Sequence, residues 1–367
     1  MVRRLRAEFT PDRLRALALA LSIGTVGGAL FAWIRMPLAW MIGAMCLTTV
    51  SALAGAKVRV PVQFRTLMIA VLGIMLGSYF RPGMFDRVGE WAVSLSTLVV
   101  YVAAIAALIG LYFRRVARYD RATAYFSAVP GGLAEMIMMG GAMGGDERSI
   151  ALTHASRILL VVSIIPFWFR WFEGYTPAPG GILAAAAASA PAFDLALMAV
   201  CGIVGVVVGR AIRLPGAPMI GPMILSGAAH YFGLTDARLP ADVIIAAQVV
   251  LGTGIGCRFA GVRLAVALRA ILVAVGSTVL MLGSGVAVAA VLEAVTGLPM
   301  AALVLAFAPG GLAEMCLMAL ALDIDPAFVS THHVGRILVV VMLAPAAYKA
   351  VERLRVRRAH EREARGD

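Results

Sequence analysis

The stretch Pro130-Gly131-Gly132-Leu133-Ala134-Glu135-Met136 returns, residue for residue, as Pro309-Gly310-Gly311-Leu312-Ala313-Glu314-Met315. Both copies lie inside long apolar runs. Proline lacks an N–H and clashes with the preceding turn, and glycine is a poor helix former, so each copy predicts a broken helix. Glu135 and Glu314 follow the glycine pair by three residues. A carboxylate is costly in an apolar medium, which makes each a candidate functional residue.

The medium is set by composition. Hydrophobic residues make up 61% of the 367 and charged residues 14%, with a mean hydropathy of +0.91. Soluble chains run at about 45–50% apolar and about 25% charged. The apolar runs approach the ~20 residues that a helix needs to cross the hydrocarbon core. The alternating ten-residue pattern of a membrane barrel does not occur. The chain therefore reads as an all-α polytopic membrane protein in contact with a lipid bilayer. Its net charge of +12 does not point to nucleic acid, because Lys and Arg cluster between the runs and at both ends, as in cytoplasmic loops. The basic stretch from Met1 to Arg15 reads as a retained cytoplasmic end. Cys46, Cys201, Cys257 and Cys316 fall in apolar segments without paired spacing and read as small buried hydrophobes.

The rest of the chain repeats along with the motif. Apolar runs at 16–34, 38–55, 66–80 and 91–113 lead to the broken segment 122–143 and a further span at 149–172. After a Gly-, Pro- and Ala-rich stretch the order returns. Ile212-Arg213-Leu214-Pro215 echoes Ile34-Arg35-Met36-Pro37, and Met219-Ile220-Gly221 echoes Met41-Ile42-Gly43. His333, Arg336 and Pro345 match His154, Arg157 and Pro166. The offset is 178 early and 179 later. The expected organisation is a cytoplasmic N-terminal segment (1–13), a first membrane repeat (14–172), a linker (173–192), a second repeat (193–349) and a basic cytoplasmic tail (350–367). Each repeat holds five to six membrane segments. If one segment per repeat is re-entrant the repeats are inverted, and the Lys and Arg outside the spans divide more unevenly between the two sides under that arrangement. Both termini face the cytoplasm either way.

The candidate site is drawn from both repeats: Glu135, Glu314, Arg157, Arg336, His154, His333 and the break residues Pro130, Gly131, Gly132, Pro309, Gly310 and Gly311. A broken helix frees backbone N–H and C=O groups near the bilayer midplane, and the carboxylates supply charge for a proton or cation. The plainer alternative pairs Glu135 with Arg157 and Glu314 with Arg336 as structural ion pairs. His154 and Arg157, three residues apart, share one helix face. The plainer reading of His154 is a hydrogen-bonding packing residue. Asp146 and Asp325 stand where helix N-caps belong. The methionines Met136, Met138, Met139 and Met143 read as flexible packing. No catalytic residue, metal site or cofactor is indicated. The five histidines show no H-x-x-x-H or facial-triad spacing, and neither a nucleotide cradle nor a nucleophile elbow is present.

The doubled Pro-Gly-Gly-Leu-Ala-Glu-Met, the following Gly-Gly-Asp and the stretch Thr153-His154-Ala155-Ser156-Arg157-Ile158-Leu159 resemble the AbrB-type bacterial membrane family with its internal duplication. The resemblance covers about residues 14–349. Family members carry the labels ammonia monooxygenase and membrane regulator of gene expression. Pro130-Gly131-Gly132 followed by Gly145-Asp146 is similar, more distantly, to the crossing helix of bile-acid/sodium symporters. The Arg-x-Pro segment before a Gly-rich helix resembles the opening of cation/proton antiporters. These resemblances imply a multi-pass protein of the bacterial inner membrane and a secondary transporter of a small solute, coupled to H⁺ or Na⁺, with a central site built from two broken helices. The alternative is a membrane-embedded regulator of gene expression that acts indirectly, with no direct contact to nucleic acid. A metal-dependent monooxygenase finds no support in ligand spacing. A small molecule or ion is the expected partner, and a homodimer is compatible with the sequence.

Overall fold

The computed structural model describes residues 10–80, 89–172, 174 and 191–363. Most of the expected N-terminal segment and linker, Arg81-Pro82-Gly83 and the last four residues lie outside the described residues. Among the described residues all regular structure is helical. The first repeat contains α1 (Pro11–Trp33), α2 (Ala39–Leu53), α3 (Val62–Gly77), α4 (Ala92–Tyr112), α5 (Arg121–Ala128), α6 (Leu133–Ala142) and α7 (Glu147–Phe172). The second contains α8 (Ala192–Ala211), α9 (Ala217–Tyr231), α10 (Ala241–Gly256), α11 (Leu264–Thr296), α12 (Met300–Phe307), α13 (Leu312–Ala321) and α14 (Pro326–Glu363). Seven helical stretches among the described residues are long and apolar enough to cross a membrane. At 15 and 16 residues, α2 and α3 rise about 22–24 Å, short of a ~30 Å hydrocarbon core. The expected boundary at 349/350 is not a helix end, because α14 runs on through Glu363.

The backbone carries the duplication as clearly as the sequence does. Left-handed residues fall at matched positions: Arg35 with Arg213, Leu38 with Gly216, Gly55 with Gly233, Arg118 with Gly297, and Gly144 with Asp323. Only glycine adopts this conformation without strain. Of these pairs Arg35 and Arg213 repeat it at a non-glycine residue in both copies.

The two repeats are interleaved rather than set side by side. Helix α1 packs on α2 and α8 on α9, but α3 packs across onto α9 and α10 across onto α2. Glycines set these crossings. A Cβ on Gly27 would strike the Gly43 backbone, and one on Gly205 would strike the Gly221–Pro222 backbone. Across the repeats, Gly73 lies against the Met219 carbonyl and Gly252 against the Met41 carbonyl. Small residues let helix backbones approach closely, which is how helices associate where burial from water gives no driving force. The remaining helices, α4 to α7 and α11 to α14, form the other half of the molecule. There α4 meets α11 and α7 meets α13, and the two halves touch through α2 with α7 and α3 with α13.

Candidate functional site

A gap between two short helices falls at each Pro-Gly-Gly stretch. Helix α5 stops at Ala128 and α6 starts at Leu133, while α12 stops at Phe307 and α13 starts at Leu312. Each break begins one residue before its proline. Val129 and Ala308 are extended, with ψ of 126° and 139°, because a following proline ring disfavours the helical region. The glycines do not serve positive φ. Gly132 and Gly311 are extended at φ −66° and −76°, a conformation open to any residue. What they provide is space, since a Cβ on Gly132 would fall on the Glu135 carboxylate and one on Gly311 on the Glu314 carboxylate.

That contact places both carboxylates at the start of the second half-helix. Each is the third residue of its helix, counted from the glycine N-cap, and folds back over that glycine. A carboxylate there faces the free N–H groups and the positive end of the helix, as the acidic half of a capping box does. The alternative of two Glu–Arg ion pairs is not what the described residues show. Neither Glu135 with Arg157 nor Glu314 with Arg336 is among the ion pairs of the described residues.

The arginines are engaged elsewhere. Arg157 Nη1 donates to the Ser127 carbonyl at 3.3 Å and Nη2 to His154 Nδ1 at 2.8 Å. Arg336 Nη1 donates to the Ala308 carbonyl at 2.7 Å, and Nη2 to the Gly310 carbonyl at 2.8 Å and to His333 Nδ1 at 2.9 Å. Arginine can only donate, so Nδ1 of each histidine accepts, and its N–H is on Nε2. His154 Nε2 therefore donates to the Phe126 carbonyl and His333 Nε2 to the Leu305 carbonyl, both at 2.9 Å. These carbonyls belong to the last turns of α5 and α12 or to the break beyond, where intrahelical partners run out. A His and an Arg one turn apart on α7, and again on α14, close the carbonyl end of the neighbouring broken helix. A cation at a helix C-terminus also suits the helix dipole.

Both breaks are thus completed in the same way, with a carboxylate at the N–H end and a His–Arg pair at the C=O end. The two sets are not equally enclosed. His154 and His333 are 0% exposed, and Arg157, Arg336 and Glu314 are 3%, 4% and 6% exposed, whereas Glu135 is half-buried. Helix α13 packs on α3 and α7 as well as on its own repeat, and α6 makes no comparable contacts. Arg65 of α3 lies within electrostatic reach of Glu314. Arg157 and Arg336 lie within electrostatic reach of one another, near the crossing of α4 and α11. There Tyr101 donates to the Met281 carbonyl at 2.9 Å and packs edge-on against Phe307, the residue before Ala308. Met281 Sδ is 4.0 Å from Arg157 Nη1.

Asp146 and Asp325 hold the helix positions expected of them. Asp146 accepts from the Arg148 and Ser149 backbone N–H groups and from the Ser149 hydroxyl, and Asp325 accepts from the Ala327 N–H. Both are helix N-caps. Among the described residues, no group of three or more His, Cys, Asp or Glu is placed to hold a metal ion. The capping role of His154 and Arg157 is the feature that spacing alone did not reveal. The signal was present, since a His-x-x-Arg recurs at a fixed distance after each break, but its acceptors lie on another helix.

This doubled arrangement falls inside a family match. The profile described as "Transition state regulatory protein AbrB" matches residues 40–352, a stretch that includes both breaks and both His–Arg pairs. The chain belongs to the AbrB family. Two full-length relatives agree with the assignment in extent. The chain is 27% identical over 357 residues to "Uncharacterized protein YhjN" of Bacillus subtilis, covering 91% of this chain and 92% of the relative. It is 24% identical over 346 residues to "Putative regulator AbrB" of Escherichia coli, covering 91% and 94%. In this AbrB-family chain the matched region is the membrane body itself.

Proposed function

We propose that the chain is a membrane-embedded regulator that acts indirectly. A small solute at a central site between the two broken helices sets the state of the molecule, and a partner relays that state to gene expression. The observation that carries this reading is the family match to a regulatory description over residues 40–352, because the matched residues are apolar helices rather than a nucleic-acid-binding module. The "Putative regulator AbrB" of Escherichia coli, similar over 91% of the chain, supports the same reading. Family membership and the lack of a metal-ligand cluster among the described residues are consistent with a non-catalytic protein. The test is deletion in the host, followed by transcript profiling and complementation. A defined set of transcripts should change and be restored by the wild-type chain. An unchanged transcript profile under every growth condition tried would end the regulatory reading.

A second reading, a secondary transporter driven by H⁺ or Na⁺, is favoured by the doubled helix break, since transporter sites use half-helix ends near the bilayer midplane. In this reading the repeats are inverted in the inner membrane and both ends are cytoplasmic. Uptake of organic acids or amines by proteoliposomes, with and without ion gradients, separates the readings. Purified protein in lipid has no partner to regulate, so gradient-dependent uptake there supports transport.

A further inference from the structure

We propose that Arg157 and Arg336 form an anion site that takes one carboxylate or other oxyanion group, held chiefly by Arg157. The inference deepens the central solute site of the regulatory reading and rests on it for biological meaning, but not for its chemistry.

Both guanidiniums are buried, at 3% and 4% exposure, and arginine stays protonated in proteins. Two positive charges stand within electrostatic reach of one another, and no carboxylate is paired with either among the described residues. The two nearby glutamates are turned back onto their own glycines. Each helix C-terminus that the arginines close supplies about half a negative charge. Two such ends offset about one of the two positive charges, and the rest is met by no carboxylate among the described residues in contact with either guanidinium, in a low-dielectric interior where an uncompensated ion is costly. One bound anionic group would neutralise it.

Unused donors indicate where that group would bind. Nε of Arg157 and Nε of Arg336 are buried with no hydrogen-bond partner. Arg336 otherwise spends its Nη groups on two backbone carbonyls and His333. Arg157 has only one backbone carbonyl, at 3.3 Å, besides His154 and the weak Met281 sulfur. It therefore keeps both Nε–H and a second Nη2 hydrogen without an acceptor, enough for the two-pronged grip of a guanidinium on an oxyanion. Ser127 Oγ and Ser156 Oγ are also buried without partners. The Ser127 carbonyl is the one Arg157 holds, and Ser156 precedes Arg157 in the chain. The second repeat has Ala306 and Gly335 at the matched positions. Thr278 Oγ1, likewise unpartnered, lies one turn before Met281 on α11. The surplus polar capacity thus lies on the Arg157 side.

The ligand could be a free small anion or the headgroup of an anionic lipid, and one experiment separates them. The full chain is purified in detergent, and its binding of radiolabelled phosphate and of radiolabelled succinate is measured by equilibrium dialysis at fixed ionic strength. Co-purified lipid is quantified by mass spectrometry. The variants are Arg157→Lys and Arg336→Lys, which keep the charge, with thermal melting as a check on folding. The expected result is saturable binding of at least one of the two anions, weakened about tenfold in Arg157→Lys, where the two-pronged contact is lost, and less in Arg336→Lys. If the group is a lipid headgroup, neither small anion binds, and an anionic lipid co-purifies at about one per chain and falls in Arg157→Lys. Wild-type protein that binds neither anion and carries no lipid dependent on Arg157 overturns the proposal, as does binding unaffected in a well-folded Arg157→Lys. Anion binding together with unchanged host transcripts would remove the regulatory reading and leave the site intact.

Discussion

At the residue scale, the roles of charge differ from those that a membrane glutamate first suggests. The glutamates serve the N–H ends of the breaks and the arginines the C=O ends, without pairing to each other. Glu135→Gln and Arg157→Gln should therefore be additive in reversible unfolding, within about 0.5 kcal/mol, as independent sites are. A buried ion pair would behave differently. Each single change would cost about 3–5 kcal/mol by stranding its partner, and the double variant would recover much of that loss. Outside the membrane segments, Asp146 offers a pH-resolved check. The Ser149 hydroxyl, with the Ser149 and Arg148 N–H groups, holds its carboxyl below the usual carboxylate range. A depressed folded-state value means that the stabilisation is complete above the ordinary value of ~3.9 and is lost as pH falls through the lower folded value. Asp146→Ala should cost about 0.5–2 kcal/mol near neutral pH, as lost N-caps do. That penalty should shrink when melting is followed below about pH 4, and a penalty independent of pH would remove the carboxylate from the explanation.

At the element scale, the interleaving of repeats rests on Gly73 and Gly252, each set against a carbonyl of the other repeat. Gly252→Val drives a branched side chain into the Met41 backbone and should cost at least the ~1–3 kcal/mol of overpacking, read as lost yield of folded protein. Gly283, on exposed α11 surface with open space around it, is the control. Gly283→Ala should be neutral or stabilising by up to about 1 kcal/mol. Equal tolerance at both positions would mean that the crossings do not depend on contact. The sequence made some of this legible. Pro130 and Pro309 announced the breaks because proline's constraint is local, and the repeated motifs announced the duplication because identity needs no geometry. The partner of Gly73 is Met219, in the other repeat, and nothing in either stretch names it. His154 and Arg157 could be placed on one face of one helix, but the Phe126 and Ser127 carbonyls they close belong to a separate element. The smaller exposure of Glu314 relative to Glu135 comes from α13 packing on α3 and α7, a contact made after folding and absent from the motif, which is identical in both copies.

At the scale of the whole molecule, an internal duplication with reciprocal packing brings a His–Arg pair from each repeat toward the crossing of α4 and α11. The inverted, even-numbered arrangement proposed for the repeats puts both ends in the cytoplasm, so reporters fused ahead of α1 and after α14 should both report cytosol. One reporter on each side of the membrane would end that arrangement. Departures from symmetry matter as much as the symmetry, since Ser127 and Ser156 face Ala306 and Gly335 at matched positions and leave Arg157 with the freer set of donors. The claim on which the account depends is that Arg157 and Arg336, supplied by different repeats, share one electrostatic environment. A double-mutant cycle with Arg157→Gln and Arg336→Gln, followed by reversible unfolding in mixed detergent without added oxyanions, tests it directly. Removing either charge already relieves the repulsion, and the double variant relieves it only once, so its loss of stability should exceed the sum of the single losses by more than about 0.5 kcal/mol. Strict additivity would place the two arginines in separate environments and contradict the account.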